Sequence, residues 1–336
     1  ILLIVFLSSS TAFIDYSTSG LENPLSHFLL AILLVMGARN RPWTETTSSL
    51  FFTLAALLVL NRQDLALLVG PLALYLWIQK LQLQVKPLLP GICLLCGWFL
   101  FSGFYFGSFV PNTYAAKVGA GFPLSERLMR GFNYFYVQWL TDPMTLVMIA
   151  WGIIAGFKRK QRAGALAFGL LLYLLYVLEI GGDFMQGRFF AAPFLVALFL
   201  VLTNPLRFYF FSRSAIAALL ALAFLTSPLF PIPSLDYANK GWIHAIADER
   251  GYYFQRYGLL VKNRRWPKIA TPSSLAPKTV IAMCGGLGRT GLSDDGSRWI
   301  IDKCALTDPF LSRLPAIQNP QWRIGHHWRK LPTNYV

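Results

Sequence analysis

A chain of 336 residues that is 55% hydrophobic and only 13% charged is not an ordinary soluble domain, which carries about a quarter charged residues. Its net charge of +15 would suit a nucleic-acid partner, yet half of the basic residues lie before residue 231, among apolar runs. No basic run with interleaved aromatics, zinc-finger spacing or RNA-binding signature accompanies them, so nucleic acid is set aside.

In chain order, nine apolar segments recur, at roughly 1–14, 27–38, 48–60, 65–79, 87–108, 142–156, 164–180, 190–204 and 215–231. Some fall short of the ~20 residues of a spanning helix, so flanking polar residues extend them or the helices are broken. The pattern predicts an α-helical polytopic membrane protein over residues 1–231 and a soluble domain over 232–336. The opening "ILLIVFLSSSTAFI" has no initiator methionine, basic n-region or small-residue cleavage site. We therefore expect the sequence to begin inside a longer protein.

The loops differ in charge. "ARNRPW", "QKLQLQVK", "FKRKQRAG" and "LRFYFFSR" hold ten of the fifteen basic residues before 231, on every second loop. The positive-inside rule assigns these to the cytoplasm, which puts the tail outside. Seven of the eight acids before 231 lie in or beside the other loops: Asp15, Glu22, Asp64, Glu126, Asp142, Glu179 and Asp183. Carboxylates at the hydrocarbon boundary are costly, and acids follow topology only weakly. Their gathering predicts a polar cavity at the outer face.

In "DYSTSGLENPLS", Ser17 to Gly20 read as a turn, and Glu22 and Asn23 precede Pro24 as in a first helical turn. A helix N-terminus opening there is a ready anion site, although ordinary capping accounts for the same residues. In "NRQD", Arg62 and Asp64 read more simply as solvated charges of a short hairpin. In "VPNTYAAK", Asn112 and Lys117 stand at the outer interface, where a lysine can meet a phosphate. "FPLSERLMRGFNYFYVQWL" reads as an amphipathic helix on the membrane surface.

"GGDFMQGRFF" puts Asp183 and Arg188 between two apolar runs. Gly181 and Gly182 permit a sharp turn, and a bend at Gly187 lets both charges project into one cavity. A structural ion pair tying two helices is the plain alternative. In the tail, Gly286, Gly288 and Gly291 form a G-x-G-x-x-G after a strand-like run, but "SDDG" interrupts the helix that dinucleotide binding requires. We read a glycine-rich turn. Cys93 and Cys96 lie in an apolar helix and suit packing. No metal cluster is apparent.

Taken together, "DYSTSGLENPLS", "NRQD", "VPNTYAAK", "GGDFMQGRFF", "ADERGYYFQR", "CALTDPFLSRLP" and "RIGHHWRKLPTNY" resemble, in order, segments of the terminal β-(1→2)-arabinofuranosyltransferases, which belong to the GT-C membrane glycosyltransferases. The resemblance spans almost the whole chain. It implies a GT-C-like bundle of about nine spans in the bacterial inner membrane, with a C-terminal α/β extracytoplasmic domain. It further implies a polyprenyl-phosphate sugar donor, a glycan or glycolipid acceptor and contact with membrane lipid. Arabinofuranose rests on the resemblance alone. The family's catalytic aspartate, in its first outer loop, would lie upstream of residue 1, so the catalytic residue is not assigned here.

In such an enzyme Lys117 and Arg188 are candidates for the donor phosphate, and Asp15, Glu22, Asn112 and Asp183 for the sugar. Positive charge stabilises the phosphate as it leaves the anomeric carbon. No cofactor is assigned, and a divalent cation is left open. Cys284 and Cys304 are the only cysteines of the outer domain and would face an oxidising compartment, which predicts a disulfide. The competing readings are a transporter or flippase of a lipid-linked sugar and a non-catalytic envelope scaffold. Transport favours internal repeats and midplane charges, whereas here no repeat is evident and the charges cluster at one face.

Overall fold

The computed structural model of the chain describes residues 2–39, 42–79, 84–203, 244–257, 279–318 and 324–335. The expected segment at 215–231 and the expected boundary at 231 lie outside them. The chain divides into two units, each built from separate stretches. The first comprises Ile1–Gly107, Phe135–Glu179 and Gly187–Leu235; the second comprises Ser108–Tyr134, Ile180–Gln186 and Asp236–Val336.

The helices of the first unit are α1 (Leu2–Ser9), α2 (Thr11–Ser17), α3 (Asn23–Ala38), α4 (Glu45–Asn61), α5 (Leu65–Gln79) and α6 (Leu89–Tyr105). After α7 (Asn112–Lys117) and α8 (Leu124–Thr141) come α9 (Pro143–Arg159), α10 (Gln161–Ile180) and α11 (Ala191–Leu202). The first apolar segment, expected as one element, is two helices. Ser10 interrupts it, because its hydroxyl caps α2 by accepting from the Phe13 amide at 3.1 Å. Elsewhere caps carry the helices past their apolar stretches. Thr44 accepts from the Thr47 amide and starts α4, and Asp142 accepts from the Thr145 amide and starts α9.

Among the described residues, two helices are long and apolar enough to cross a membrane, Lys86–Tyr105 and Gln161–Ile180. The pair Leu124–Thr141 and Pro143–Arg159, bent by 110°, makes a third if it is one broken span. Four further apolar helices, Asn23–Ala38, Glu45–Asn61, Leu65–Gln79 and Arg188–Leu202, are shorter. Among the described residues the helices lie where the apolar pattern puts them, and two, or three with the bent pair, are long enough to span.

In the first unit α11 packs on α9, α3 and α2, while α4 packs on α6, α3 and α5. Small residues set the closest crossings. A Cβ on Gly152 of α9 would stand 2.5 Å from the Cα of Ala197 on α11, and one on Gly169 of α10 would stand 2.2 Å from the Leu68 carbonyl oxygen on α5. Backbones this close gain van der Waals contact that lipid cannot supply. The outer surface stays apolar, with Leu100 69% and Phe104 93% exposed on α6.

The second unit contains α7, most of α8, a helix α12 (Glu249–Tyr257), and strands β1 (Thr279–Met283) and β2 (Arg298–Asp302) joined through α13 (Leu287–Leu292). The strands pair in parallel, Ile281 opposite Ile300 and Met283 opposite Asp302. Cys284 and Cys304, one just beyond each strand, form a disulfide with Cα atoms 5.0 Å apart. A short helix runs through the glycine segment and ends at Leu292, immediately before "SDDG". It is six residues long, and the Asp302 carboxylate accepts from the amides of Cys304 and Thr307 at 2.9 Å. That strand–helix–strand unit is thereby committed to its own turns. Arg329, fully buried, donates to the carbonyls of His327 at 2.7 Å and Ala116 at 3.1 Å, tying the tail to α7.

Candidate functional site

The first unit holds one buried polar cluster around Asp142, with Ser10, Gln138 and Thr145, and another where α3 begins, where α4 turns into α5 and where the chain enters α11. Glu22 is the N-cap of α3 but makes no side-chain cap hydrogen bond. Its carboxylate instead receives Arg188 Nη2 on Oε1 at 2.9 Å, and Arg62 Nε lies 3.7 Å from the same oxygen. Burial works against the charge on Glu22, but the Arg188 and Arg62 guanidiniums outweigh it and hold the carboxyl below its usual range.

Arg62 and Asp64 are not solvated turn charges, as the sequence suggested. Arg62 is only 6% exposed. Its Nε donates to Asp64 Oδ1 at 3.1 Å, and its Nη2 donates to Asp64 Oδ2 and, at 2.9 Å, to the Tyr173 hydroxyl. That hydroxyl in turn donates to Asp64 Oδ2 at 2.7 Å, which closes a ring of three side chains. Burial disfavours the Asp64 charge, yet the adjoining Arg62 holds its carboxyl below the ordinary value. The guanidinium also lies 5.5 Å from the centre of the Phe189 ring.

Arg188 is presented by a glycine. Gly187 has φ +77°, a left-handed conformation, and opens a single 3₁₀ turn, Arg188–Phe190, before α11. A Cβ at Gly187 would come within 3.1 Å of Ala12 on α2, so the close approach requires glycine as well. Asn61, the last residue of α4, donates through Nδ2 to Ser26 Oγ at 2.8 Å and to the Glu22 carbonyl at 3.0 Å. The ends of α3 and α4 are thus laced together beside the charged pair.

Of the residues singled out in the sequence, Glu22 and Arg188 are brought together here. Asp15 lies within α2 rather than in a loop. Lys117, Asp183 and Asn112 belong to the second unit, and Asp183 and Arg188 therefore fall in different units. Asn112 opens α7, and Lys117 at its end has Nζ 4.0 Å from Asp183 Oδ1. Asp183 is 2% exposed and its Oδ1 accepts from the Phe184 amide at 2.8 Å. Arg130, Asp183 and His244 line a cavity of about 20 Å³, room for a single water.

Tyr173, Asn61 and His27 escaped the sequence reading. Tyr173 carried a usable signal, since a hydroxyl inside a long apolar helix needs a partner. Among the described residues no group of three or more His, Cys, Asp or Glu could hold a metal ion. A groove of about 610 Å³, lined by Leu74, Tyr75, Phe157, Lys160, Phe168 and Leu172, is apolar apart from its lysine and polar rim. It is remote in chemistry from the charged cluster. We place the candidate site at Glu22, Arg62, Asp64, Tyr173 and Arg188, where the charges converge.

No family model and no solved structure matches the chain. Two curated relatives do. The terminal β-(1→2)-arabinofuranosyltransferase of Mycobacterium tuberculosis is 29% identical over 211 residues, 53% of this chain and 34% of that protein. That of Corynebacterium glutamicum is 27% identical over 233 residues, 57% of this chain and 33% of that protein. Each match thus spans about a third of the relative's length.

Proposed function

We propose, from this closeness to the terminal β-(1→2)-arabinofuranosyltransferases, that the chain is part of a membrane glycosyltransferase. It moves a sugar, arabinofuranose by analogy with the relatives, from a polyprenyl-phosphate donor to an envelope glycan or glycolipid at the outer face of the bacterial inner membrane. The observation that carries the reading is the Glu22–Arg188 pair, backed by the Arg62–Asp64–Tyr173 ring, at the ends of apolar helices. Charges so placed are costly unless used, and they mark substrate sites by default.

The chemistry follows from the residue types. The acceptor hydroxyl oxygen bonds to the anomeric carbon as the C–O bond to phosphate breaks; polyprenyl phosphate leaves with that electron pair, and the hydroxyl proton passes to a base. Arg188 presents a planar fork to the departing phosphate and stabilises its growing charge. Glu22 orients that fork and, on the sugar side, offers an acceptor to a ring hydroxyl. We assign no general base within residues 1–336. The test is turnover of a radiolabelled polyprenyl-phosphate arabinofuranose by the full-length protein in lipid vesicles. Transfer to an arabinan acceptor is expected, and its absence with an intact, folded protein sinks the reading.

A further inference from the structure

We propose that Asn23 and His27 form a hydroxyl-pairing subsite for the ring of the transferred sugar, next to the Glu22–Arg188 pair; this rests on the glycosyltransferase reading above. The two residues are four apart on α3 and so share one face of its first turns. Asn23 is fully buried and His27 is 7% exposed. Neither amide atom of Asn23 and neither ring nitrogen of His27 has a hydrogen-bond partner among the described residues, and the same holds for Arg62 Nη1. Native proteins pair nearly all such buried atoms, and leaving one unpaired costs its full desolvation.

Ser26, on the same turn, receives Asn61 Nδ2 at 2.8 Å. His27 is also held in place, because its ring stacks on Phe13 at 5.0 Å with 24° between the planes. The cluster passes from the Glu22 and Arg188 side chains, 24% and 18% exposed, to the fully buried Asn23. The unpaired atoms of Asn23 thus directly follow, in the chain, a carboxylate that is itself partly open to solvent.

Their chemistry selects the ligand. An amide offers donors and an acceptor, and a neutral imidazole offers one of each. A phosphate oxygen only accepts, so it would leave the amide oxygen and one ring nitrogen facing like charge. A cation is disfavoured by the guanidiniums of Arg62 and Arg188 beside the same carboxylate. A sugar hydroxyl both donates and accepts, and two adjacent hydroxyls on a furanose ring satisfy both side chains. The arginines take the phosphate and the Asn23–His27 face takes the sugar.

Apolar replacement separates a ligand subsite from a structural water site. Asn23→Leu and His27→Phe, made in the full chain, are compared with wild type for thermal unfolding without ligand. Binding is measured for farnesyl-phosphoryl arabinofuranose and for farnesyl phosphate, which lacks the sugar. We expect an unchanged or higher Tm, a Kd for the sugar-bearing lipid raised about tenfold, and a Kd for farnesyl phosphate changed less than twofold. A Tm lowered in both variants shows that these atoms are satisfied within the protein by ordered water, and overturns the subsite. Wild type that binds the sugar-bearing lipid while both variants bind it equally well overturns the subsite alone. Wild type that binds neither lipid overturns the glycosyltransferase reading and the subsite with it.

Discussion

Glu22 and Arg188 meet at 2.9 Å although 166 residues separate them in the chain. Glu22 stands at the N-cap position of α3 with its carboxylate turned to the guanidinium, and Arg188 follows the left-handed Gly187 in the 3₁₀ turn that leads into α11. The pair therefore exists only when α3 and α11 are packed together, and it reports on that packing as well as on chemistry.

Arg188→Lys should leave the fold intact and weaken donor use. A lysine keeps the charge but loses the planar fork, and one charge-assisted hydrogen bond is worth about 1.5–3 kcal/mol. A fall of roughly 10- to 100-fold in kcat/KM is expected from that loss. Steady-state transfer assays on purified full-length enzyme check it. Retention of full activity by Arg188→Lys and Glu22→Gln alike would remove both from the site.

Breaking the buried ring should cost stability in a graded way. Asp64→Asn leaves Arg62 with its nearest countercharge gone, at about 3–5 kcal/mol. Tyr173→Phe removes one hydroxyl between charged partners and costs about 1.5–3 kcal/mol. Replacing both charges, Arg62→Met with Asp64→Leu, should recover much of the loss, because an apolar pair carries no desolvation debt. Thermal unfolding in detergent gives the order; an Asp64→Asn protein as stable as wild type contradicts it.

Acidification should destabilise the second unit through His327. Burial first, then the charges of Arg329, His326 and Lys117, hold its imidazole down to about 3, against an ordinary value of 6.5. In this window the unfolded chain binds more protons than the folded one, so stability rises with pH. The contribution is complete above about 6.5 and is lost as pH falls towards 3. Hydrogen exchange across 279–318 and 324–335 should show it, and His327→Phe should flatten the profile. An unchanged pH dependence in that variant would point to another group.

Reduction of the Cys284–Cys304 bridge should loosen the tail. The sequence separation is 20 residues, and closing a loop of that size is worth roughly 3 kcal/mol in the chain-entropy model. Exchange in β1 and β2 is expected to rise on reduction, while exchange in α9 and α11 stays as it was. Equal effects in both units would refute so local a role.

Topology is open to direct test. With the basic loops inside, a reporter active only in the cytoplasm and fused after Val336 should be silent. A strong signal reverses the assignment of faces.

Composition alone determined that this chain is built from apolar helices, because segments such as 27–38, 65–79 and 164–180 carry their own periodless hydrophobic signal. Charges in the loops beside apolar runs likewise placed Glu22 and Arg188 among six candidate residues. Tertiary structure decided what those charges do. Arg62 and Asp64 sit in a short hairpin, and local sequence cannot distinguish a turn exposed to water from one covered by α10. Tyr173 covers it, 109 residues away from Asp64, because Gly169 lets α10 approach the α5 backbone. Helix formation depends on near neighbours, whereas pairing of buried charges depends on which helices pack, and that is fixed by contacts far apart in the chain.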